Sequence, residues 1–570
     1  MSSTVPPVGG RSEADPAARL RWVALLFAAL GLLLQIWRQQ SLTASYDQGI
    51  FLQALWSGLH GHPFESTLSS QLSSAVVHDG LVPALGYRRL GQHFTPLLAL
   101  WTPLVGLLGT WALPLLQVGL LTAAGLVLHR LALCRLEPRL AAMVAISWYG
   151  AGAVVGPLLG NFTDLCQLPL AVFALLLGLE RRRPWLILLA ALAVPLIRED
   201  TGVVLVGVGL WLAVRQRQRW PLALALLLWG AGWVVLVTSV LQPLFSEDSS
   251  RRFMVENFGQ FITGRTQASS LEVLLAVLRQ PWVVLRELLD PPGQTIGYLL
   301  AQGLPLLLLP LISLDAWLLM GLPLLGLLLA RGKPSPLSIQ VRYALLVAPG
   351  LFAGAVYWWQ RHGALFGSRR LRALWAGAVL LSLLLTLGAN PHRSLSLLIP
   401  DSVSPWIHRS PLAMAHHGQQ ARQLLAAIPP DAPVAATTSL VPLLAQRPVL
   451  TRFPADSSFR DRGGVVRPVD WIALDLEAPA RFAPVSRGDR RELRKLLAFL
   501  ASPQVLPPAR AAASSPSATG GAASTTAAAP PTYGVLDVRE ELVLLRRGVP
   551  SDPRAWEALQ SLRERFSGTT

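Results

Sequence analysis

From Leu20 onward the chain is a succession of apolar runs near the length that crosses a bilayer, and no other feature limits its fold as much. A span needs about 20 apolar residues at ~1.5 Å of rise each. The runs are Leu20 to Trp37, Phe94 to Leu128 with room for one or two helices, Leu140 to Gly160, Leu165 to Leu179, Trp185 to Ile197, Thr201 to Val214, Trp220 to Leu241, Thr295 to Ser313, Ala316 to Ala330, Val341 to Trp359, and Ala373 to Gly388. They predict about eleven or twelve transmembrane helices over residues 20–389. A mean hydropathy of +0.46 with 14% charged residues is too apolar for a soluble fold and too polar for a chain that is membrane throughout. The expected architecture is a polytopic α-helical membrane protein with a soluble C-terminal part, and the bilayer is its first partner.

The formal charge of +17 raises nucleic acid as a partner, but Lys333 and Lys495 are the only lysines and the arginines cluster beside apolar runs. That pattern anchors cytoplasmic loops and excludes a phosphate-backbone groove. The polar leader 1–19 reads as a disordered cytoplasmic segment, and the run behind it lacks a small-residue cleavage site, so it is expected to stay as the first span. Cys134 and Cys166 flank a predicted span, so no disulfide joins them, and neither has metal-ligand company.

Positive loops set the orientation. Arg11, Arg19 and Arg21 hold the N-terminus inside, as do Arg181 to Arg183, Arg215 to Arg219 and Arg361 to Arg372 for later loops. About thirty residues between the first two internal clusters must cross and return as a tight hairpin, which puts its apex Ile197-Arg198-Glu199-Asp200-Thr201 outside. The same counting puts outer loops at 38–93 and 245–292, Asn161-Phe162-Thr163-Asp164 outside, and everything after Gly388 outside. Arg130, Arg135 and Arg139 ask for an odd number of crossings between Phe94 and His129, so one of the two helices there is expected to be short or re-entrant. Asp47, His93, Asp164, the Arg198-Glu199-Asp200 triplet and Arg342-Tyr343 then gather at the outer ends of spans.

Within the first outer loop, Ile50, Phe51, Ala54 and Leu55 follow Asp47 at three, four, seven and eight residues, one face of a helix expected to lie along the membrane surface. Asp47 stands at its N-terminus, where a helix cap contributing about 1 kcal/mol competes with a catalytic role. His60 and His62 read as a solvated turn, and His93 and Asp164 each open a helix, where a cap or interfacial role competes with ligand binding. Glu199 and Asp200 are adjacent carboxylates at a hairpin tip; Arg198 neutralises one and leaves the other for function.

The ordered set Asp47-Gln48-Gly49-Ile50-Phe51-Leu52-Gln53, Gln92-His93-Phe94, Arg198-Glu199-Asp200 and Arg342-Tyr343 resembles a bacterial family of predicted membrane proteins, domain of unknown function 2079, from about Tyr46 to about Glu477. More distantly the layout is similar to the GT-C superfamily of integral membrane glycosyltransferases, which take a sugar from a polyprenyl-phosphate carrier at the outer face. That resemblance implies Asp47 as the acid of the first outer loop, Glu199 and Asp200 as catalytic or cation-holding carboxylates, and His93, Arg198, Arg342, Tyr343 and Gln53 as substrate-binding residues. A divalent cation, Mg or Mn, would fall among Asp47, Asp164, Glu199 and Asp200. It also implies a polyprenyl-phosphate-linked sugar donor at the bacterial cytoplasmic membrane. The chain departs from the family where Asn161-Phe162-Thr163-Asp164 lacks histidine, where Arg198 replaces lysine, and where Arg342-Tyr343 replaces histidine-tyrosine. Arginine keeps the charge but changes the hydrogen-bonding fork.

Beyond Asn390, short strands at Pro433 to Thr438, Pro448 to Phe453, Asp470 to Asp475, Tyr533 to Val538 and Glu541 to Leu545, with helices at Ala413 to Ile428, Arg490 to Leu500 and Arg554 to Phe566, predict an extracytoplasmic α/β domain over 390–570. It carries no Gly-rich phosphate loop. The Ala/Ser/Thr/Pro/Gly stretch 507–532 reads as a flexible insert. Two other functions fit the same outer cluster: a transporter or flippase of a polar or lipid-linked substrate, disfavoured by the lack of an internal repeat, and a non-catalytic envelope scaffold in which the acids are caps and ion pairs.

Overall fold

The computed structural model describes residues 15–246, 249–330, 337–339, 341–509 and 530–567. Most of the leader and most of the insert expected over 507–532 lie outside the described residues. The first helix, α1 (Pro16–Gln40), starts earlier than the apolar run: Asp15 accepts from the Ala17 N–H and Pro16 takes the first turn, so residues 16–19 belong to the helix and not to the leader.

Among the described residues, five helical stretches are long and apolar enough to cross a membrane: Pro16–Gln40, Pro96–Ala132, Pro138–Leu159, Arg217–Leu244 and Arg369–Gly388. Three shorter apolar helices, Pro184–Ile197, Gly202–Arg215 and Leu314–Leu329, join them. The chain is thus a polytopic helical membrane fold with fewer full-length spans than its apolar runs suggest. The Thr295–Ser313 run is broken: its helix ends at Gly303, and Leu307 and Leu308 turn left-handed. The Phe94–Leu128 run is broken at Gly109, whose φ of +55° ends the seven-residue Thr102–Leu108 helix, so the 21 residues of Ala112–Ala132 form the long element.

The Ala344–His362 helix is buried from Ala344 through Tyr357 and lies at the centre of the bundle. Gly354 allows the Leu314–Leu329 helix to cross it at close range: a Cβ there would sit 2.3 Å from the Ala316 Cα. The outer helices instead present Trp22, Leu25, Leu33, Leu228, Leu374 and Leu384 bare. Apolar surface of this extent belongs against lipid.

The bundle has two chemically distinct ends. At one, buried Asp315 accepts from Arg215 Nε at 2.9 Å and from Trp211 Nε1 at 2.9 Å, and also pairs with Arg361. At the other, Arg198 precedes the Gly202–Arg215 helix and Arg342 precedes Ala344–His362. The 19 residues of the latter separate the two ends by roughly 28 Å.

The C-terminal region caps the end that carries Arg198 and Arg342. Its strands are β1 (Ser402–Val403), β2 (Trp406–Ile407), β3 (Val434–Ala436), β4 (Leu450–Arg452), β5 (Ser458–Arg460), β6 (Val466–Pro468), β7 (Trp471–Asp475), β8 (Val505–Leu506), β9 (Tyr533–Arg539) and β10 (Leu542–Arg547). A six-stranded mixed sheet runs β4-β3-β7-β10-β9-β8, parallel across β4, β3 and β7 and antiparallel at β7-β10 and β10-β9. The Pro411–Leu425, Arg487–Leu500 and Pro553–Ser567 helices complete it. Gly418 seats the first of these on the C-terminal end of α1, where a Cβ would meet the Gln40 carbonyl oxygen at 1.9 Å.

The helix after the first span, α2 (Tyr46–Leu59), corrects the expectation of a surface helix. Ten of its residues are buried, on every face, because the bundle lies on one side and the C-terminal region on the other. Gly49 meets Val441, whose Cγ1 would stand 2.4 Å from a Cβ. The segment 245–292, expected as a loop between spans, holds the Ser249–Phe258, Ser270–Arg279 and Pro281–Leu289 helices.

Candidate functional site

Asp47 is the second residue of α2, and the chain enters that helix under constraint. Ser45 donates its N–H to Asn161 Oδ1 at 2.9 Å while Asn161 Nδ2 returns to the Ser45 hydroxyl. The Asn161-Phe162-Thr163-Asp164 segment therefore sets where α2 begins. Asp164 itself is buried and accepts from the Leu165 N–H at 2.9 Å and from Thr163 Oγ1 at 3.1 Å, bonds made within its own turn, whose cap is Thr163. Asp47 does not cap: its Oδ2 accepts from Arg342 Nη1 at 2.8 Å, with both side chains still partly exposed.

Tyr343 lies between two cations. The Arg342 and Arg198 guanidinium carbons stand 5.5 and 5.3 Å from its ring centroid. Arg198 is otherwise occupied by Asp200, donating from Nε at 2.7 Å and from Nη2 to the other oxygen. The tip of the hairpin is closed by Thr201, whose hydroxyl donates to Val194 O at 2.6 Å.

Glu199 points away from that pair. Its Oε1 lies 2.8 Å from His93 Nδ1, and its Oε2 accepts from the Phe94 N–H at 2.9 Å. Burial pushes this carboxyl up, but the His93 ring and Arg198 outweigh it and hold it below its ordinary value. With Nδ1 engaged, the ring is fixed and Nε2 is the nitrogen left for another partner.

Asp47, Arg89, Gln92, His93, Arg342 and Tyr343 line one cavity of about 300 Å³, closed on its apolar side by Phe51 and Phe253. Arg89 was not a sequence candidate, although it stands four residues before His93 in the same short turn. It is 6% exposed, its guanidinium lies 4.4 Å over the Phe51 ring, its Nε is buried without a hydrogen-bond partner, and among the described residues it forms no ion pair. Burial lowers its pKa, opposed by Asp164, Asp47 and Glu199 at longer range and assisted by Arg342. A charge buried this way is costly unless something completes its shell.

Of the sequence candidates, Asp47, His93, Arg342 and Tyr343 face the cavity, and Glu199 reaches it through His93. Asp164, Arg198 and Asp200 support the walls. Gln53 does not belong to the site: fully buried, it donates to Arg447 O at 3.1 Å and Thr67 Oγ1 at 3.2 Å and accepts from Ser66 Oγ at 2.8 Å, tying α2 to the C-terminal region. The four carboxylates named for a cation are each engaged by a different donor, and among the described residues the one cluster of three ligand atoms within 4.8 Å lies elsewhere, around His417.

A model of a family described as predicted membrane proteins, DUF2079, matches residues 38–500. The chain belongs to that family. The matched stretch contains every residue of the cavity and the sheet from β3 to β7, so bundle end and C-terminal cap fall within one family unit. No curated protein matches the chain.

Proposed function

We propose that the chain transfers a sugar from a polyprenyl-phosphate carrier to an acceptor hydroxyl at the outer face of the bacterial cytoplasmic membrane, with the N-terminus inside and the C-terminal region, 390–570, outside. The observation that supports this reading is Arg89: a buried guanidinium that forms no ion pair among the described residues, opening into a cavity that also holds a carboxylate at the end of a membrane bundle. A phosphate supplies the missing anion, and a lipid-borne phosphate reaches a site at that depth with its tail still in hydrocarbon.

The step needs little from the protein beyond charge and position. The acceptor oxygen attacks the anomeric carbon, its proton passes to the Asp47 carboxylate, and the bond from the anomeric carbon to the phosphate oxygen breaks with the electron pair leaving on phosphate. Arg89 and Arg342 hold that phosphate as it gains charge. Arg342 must exchange Asp47 for phosphate, so donor binding itself frees the base. His93, oriented by Glu199, offers Nε2 as an acceptor to a hydroxyl of the sugar or the acceptor. Among the described residues a Mg or Mn ion has no ready ligand set in this cavity, since its acids are engaged by arginine, histidine or backbone.

The test is turnover of a labelled polyprenyl-phosphate hexose by the full chain in proteoliposomes. Asp47→Asn is expected to lose about 10²–10⁴-fold in rate while still binding the lipid. Unchanged turnover in that variant refutes the assignment. Vesicle-crossing of the labelled lipid without transfer favours a flippase instead.

A further inference from the structure

A second cluster, in the C-terminal region and outside the proposed transfer site, has a ligand geometry of its own. His417 lies on the Pro411–Leu425 helix and is 1% exposed. Its Nε2 is 3.1 Å from Asp475 Oδ1, at the end of β7. Asp475 already accepts from Ser439 Oγ at 2.7 Å and from the Glu477 N–H at 3.0 Å, so as an acceptor-only carboxylate it requires Nε2 to carry the proton. In the neutral ring Nδ1 is then a bare lone pair, and it is buried without a hydrogen-bond partner.

That lone pair faces the two-residue turn between β9 and β10, which is Glu540-Glu541. One ring nitrogen of His417 and one oxygen from each carboxylate lie within 4.8 Å of one another, and Glu540 Oε2 stands 3.5 Å from Nδ1. Three acceptors turned toward one point repel unless a proton on Nδ1 or a bound cation sits among them. The surrounding cations are peripheral: His416 Nδ1 reaches Glu540 Oε1 at 3.1 Å, Arg565 reaches Glu541 at 3.5 Å, and Arg409 is taken by Glu477 at 3.1 Å. A ligating imidazole whose other nitrogen donates to a buried carboxylate is the usual support of a protein metal ligand.

We propose that His417, Glu540 and Glu541 bind a divalent transition-metal ion of the Zn²⁺ class, with Asp475 as the positioning residue. One nitrogen and two carboxylate oxygens suit Zn²⁺, with His416 or water completing four-coordination. Glu540 and Glu541 are at least partly exposed, so their side chains have room to close the remaining distance to an ion. The ion ties the β9-β10 turn to the helix that Gly418 seats on α1, fixing the sheet to the first span.

The experiment is Zn²⁺ titration of the chelator-stripped full-length protein in detergent, read by a competing fluorescent chelator and by metal content after desalting. The wild type is expected to retain one Zn²⁺ per chain. Glu541→Gln loses stoichiometric binding while keeping its helical circular dichroism and monodisperse elution, and Asp475→Asn weakens binding about 10–100-fold. Glu557→Gln, on the exposed face of another helix, changes nothing. Failure of the wild type to retain more Zn²⁺ than Glu541→Gln overturns the proposal and leaves His417 as an imidazolium shared by Asp475 and Glu540. If Glu541→Gln does not fold, Asp475→Asn and His416→Gln decide: binding equal to wild type in both is equally fatal.

Discussion

Replacing Arg89 by methionine is expected to separate stability from function. Methionine fills a similar length of cavity without charge. Exchanging buried ionic groups for apolar ones of like volume is often neutral or stabilising by about 1–4 kcal/mol. The loss is the contact with Phe51, 4.4 Å from guanidinium carbon to ring centroid, worth roughly 0.5–2 kcal/mol in a desolvated setting. Asp164 keeps its hydrogen bonds from Leu165 and Thr163, so it is not stranded by the change. The sum is a variant whose stability lies between about 2 kcal/mol lower and about 3.5 kcal/mol higher, centred near no loss. Binding moves the other way: a charge-assisted contact to phosphate is worth about 1.5–3 kcal/mol, so affinity for a polyprenyl phosphate falls roughly 10- to 150-fold. Thermal unfolding in detergent and a lipid-phosphate competition assay measure the two halves. A variant that unfolds at markedly lower temperature yet binds the lipid as before makes Arg89 a structural residue, and the anion-site argument fails with it.

Other perturbations reach different parts of the molecule. Glu199→Gln leaves the shape of the tip intact but removes the charge that orients His93; turnover should fall by roughly 10²-fold, with a displaced pH profile, whereas an unchanged profile assigns the pair to structure alone. Asp315→Ala strips the shared acceptor from Arg215, Arg361 and Trp211 at the opposite end, and because both arginines remain partly exposed the cost should be nearer 3 than 5 kcal/mol, seen as early unfolding on heating. Gly354→Leu wedges the Leu314–Leu329 helix from its central partner and should cost at least about 1–3 kcal/mol; wild-type elution and stability would contradict the close crossing. In a Cys134→Ser background, a membrane-impermeant thiol reagent should label Arg462→Cys in intact cells and leave Arg182→Cys untouched, and the reverse pattern inverts the proposed orientation.

Sequence pattern reached the helices and strands more readily than their partners. The apolar runs and turn residues mark where most elements begin and end, and arginine clusters such as Arg215 and Arg361 lie together at one bundle end. Local periodicity cannot report what packs on both sides of a helix, so α2 reads as half-exposed when Val441 and Arg447, some four hundred residues away, bury its other face. For the same reason Gln53, within the motif that drew attention to Asp47, resembles a ligand residue but is a fastening to the C-terminal region. Arg89 escaped notice because an arginine in a loop looks solvated until burial is known. Its nearness to His93 was the available signal. The break at Leu307-Leu308 was similarly hidden, since leucine gives no warning of a left-handed backbone, whereas the short helix ending at Gly109 falls where the arginine count asks for one.

The bond from Gln53 to Arg447 spans 394 residues of chain, and that interval has a cost in time. At a synthesis rate of about 5–20 residues per second, roughly 20–80 s pass between the emergence of α2 and the arrival of the segment that covers it. Throughout that interval a newly inserted helix carries bare glutamine and apolar surface with its final neighbour still unmade. The proposed catalytic aspartate is therefore among the first residues inserted and among the last to reach its working environment, which confines activity to chains translated nearly to their end.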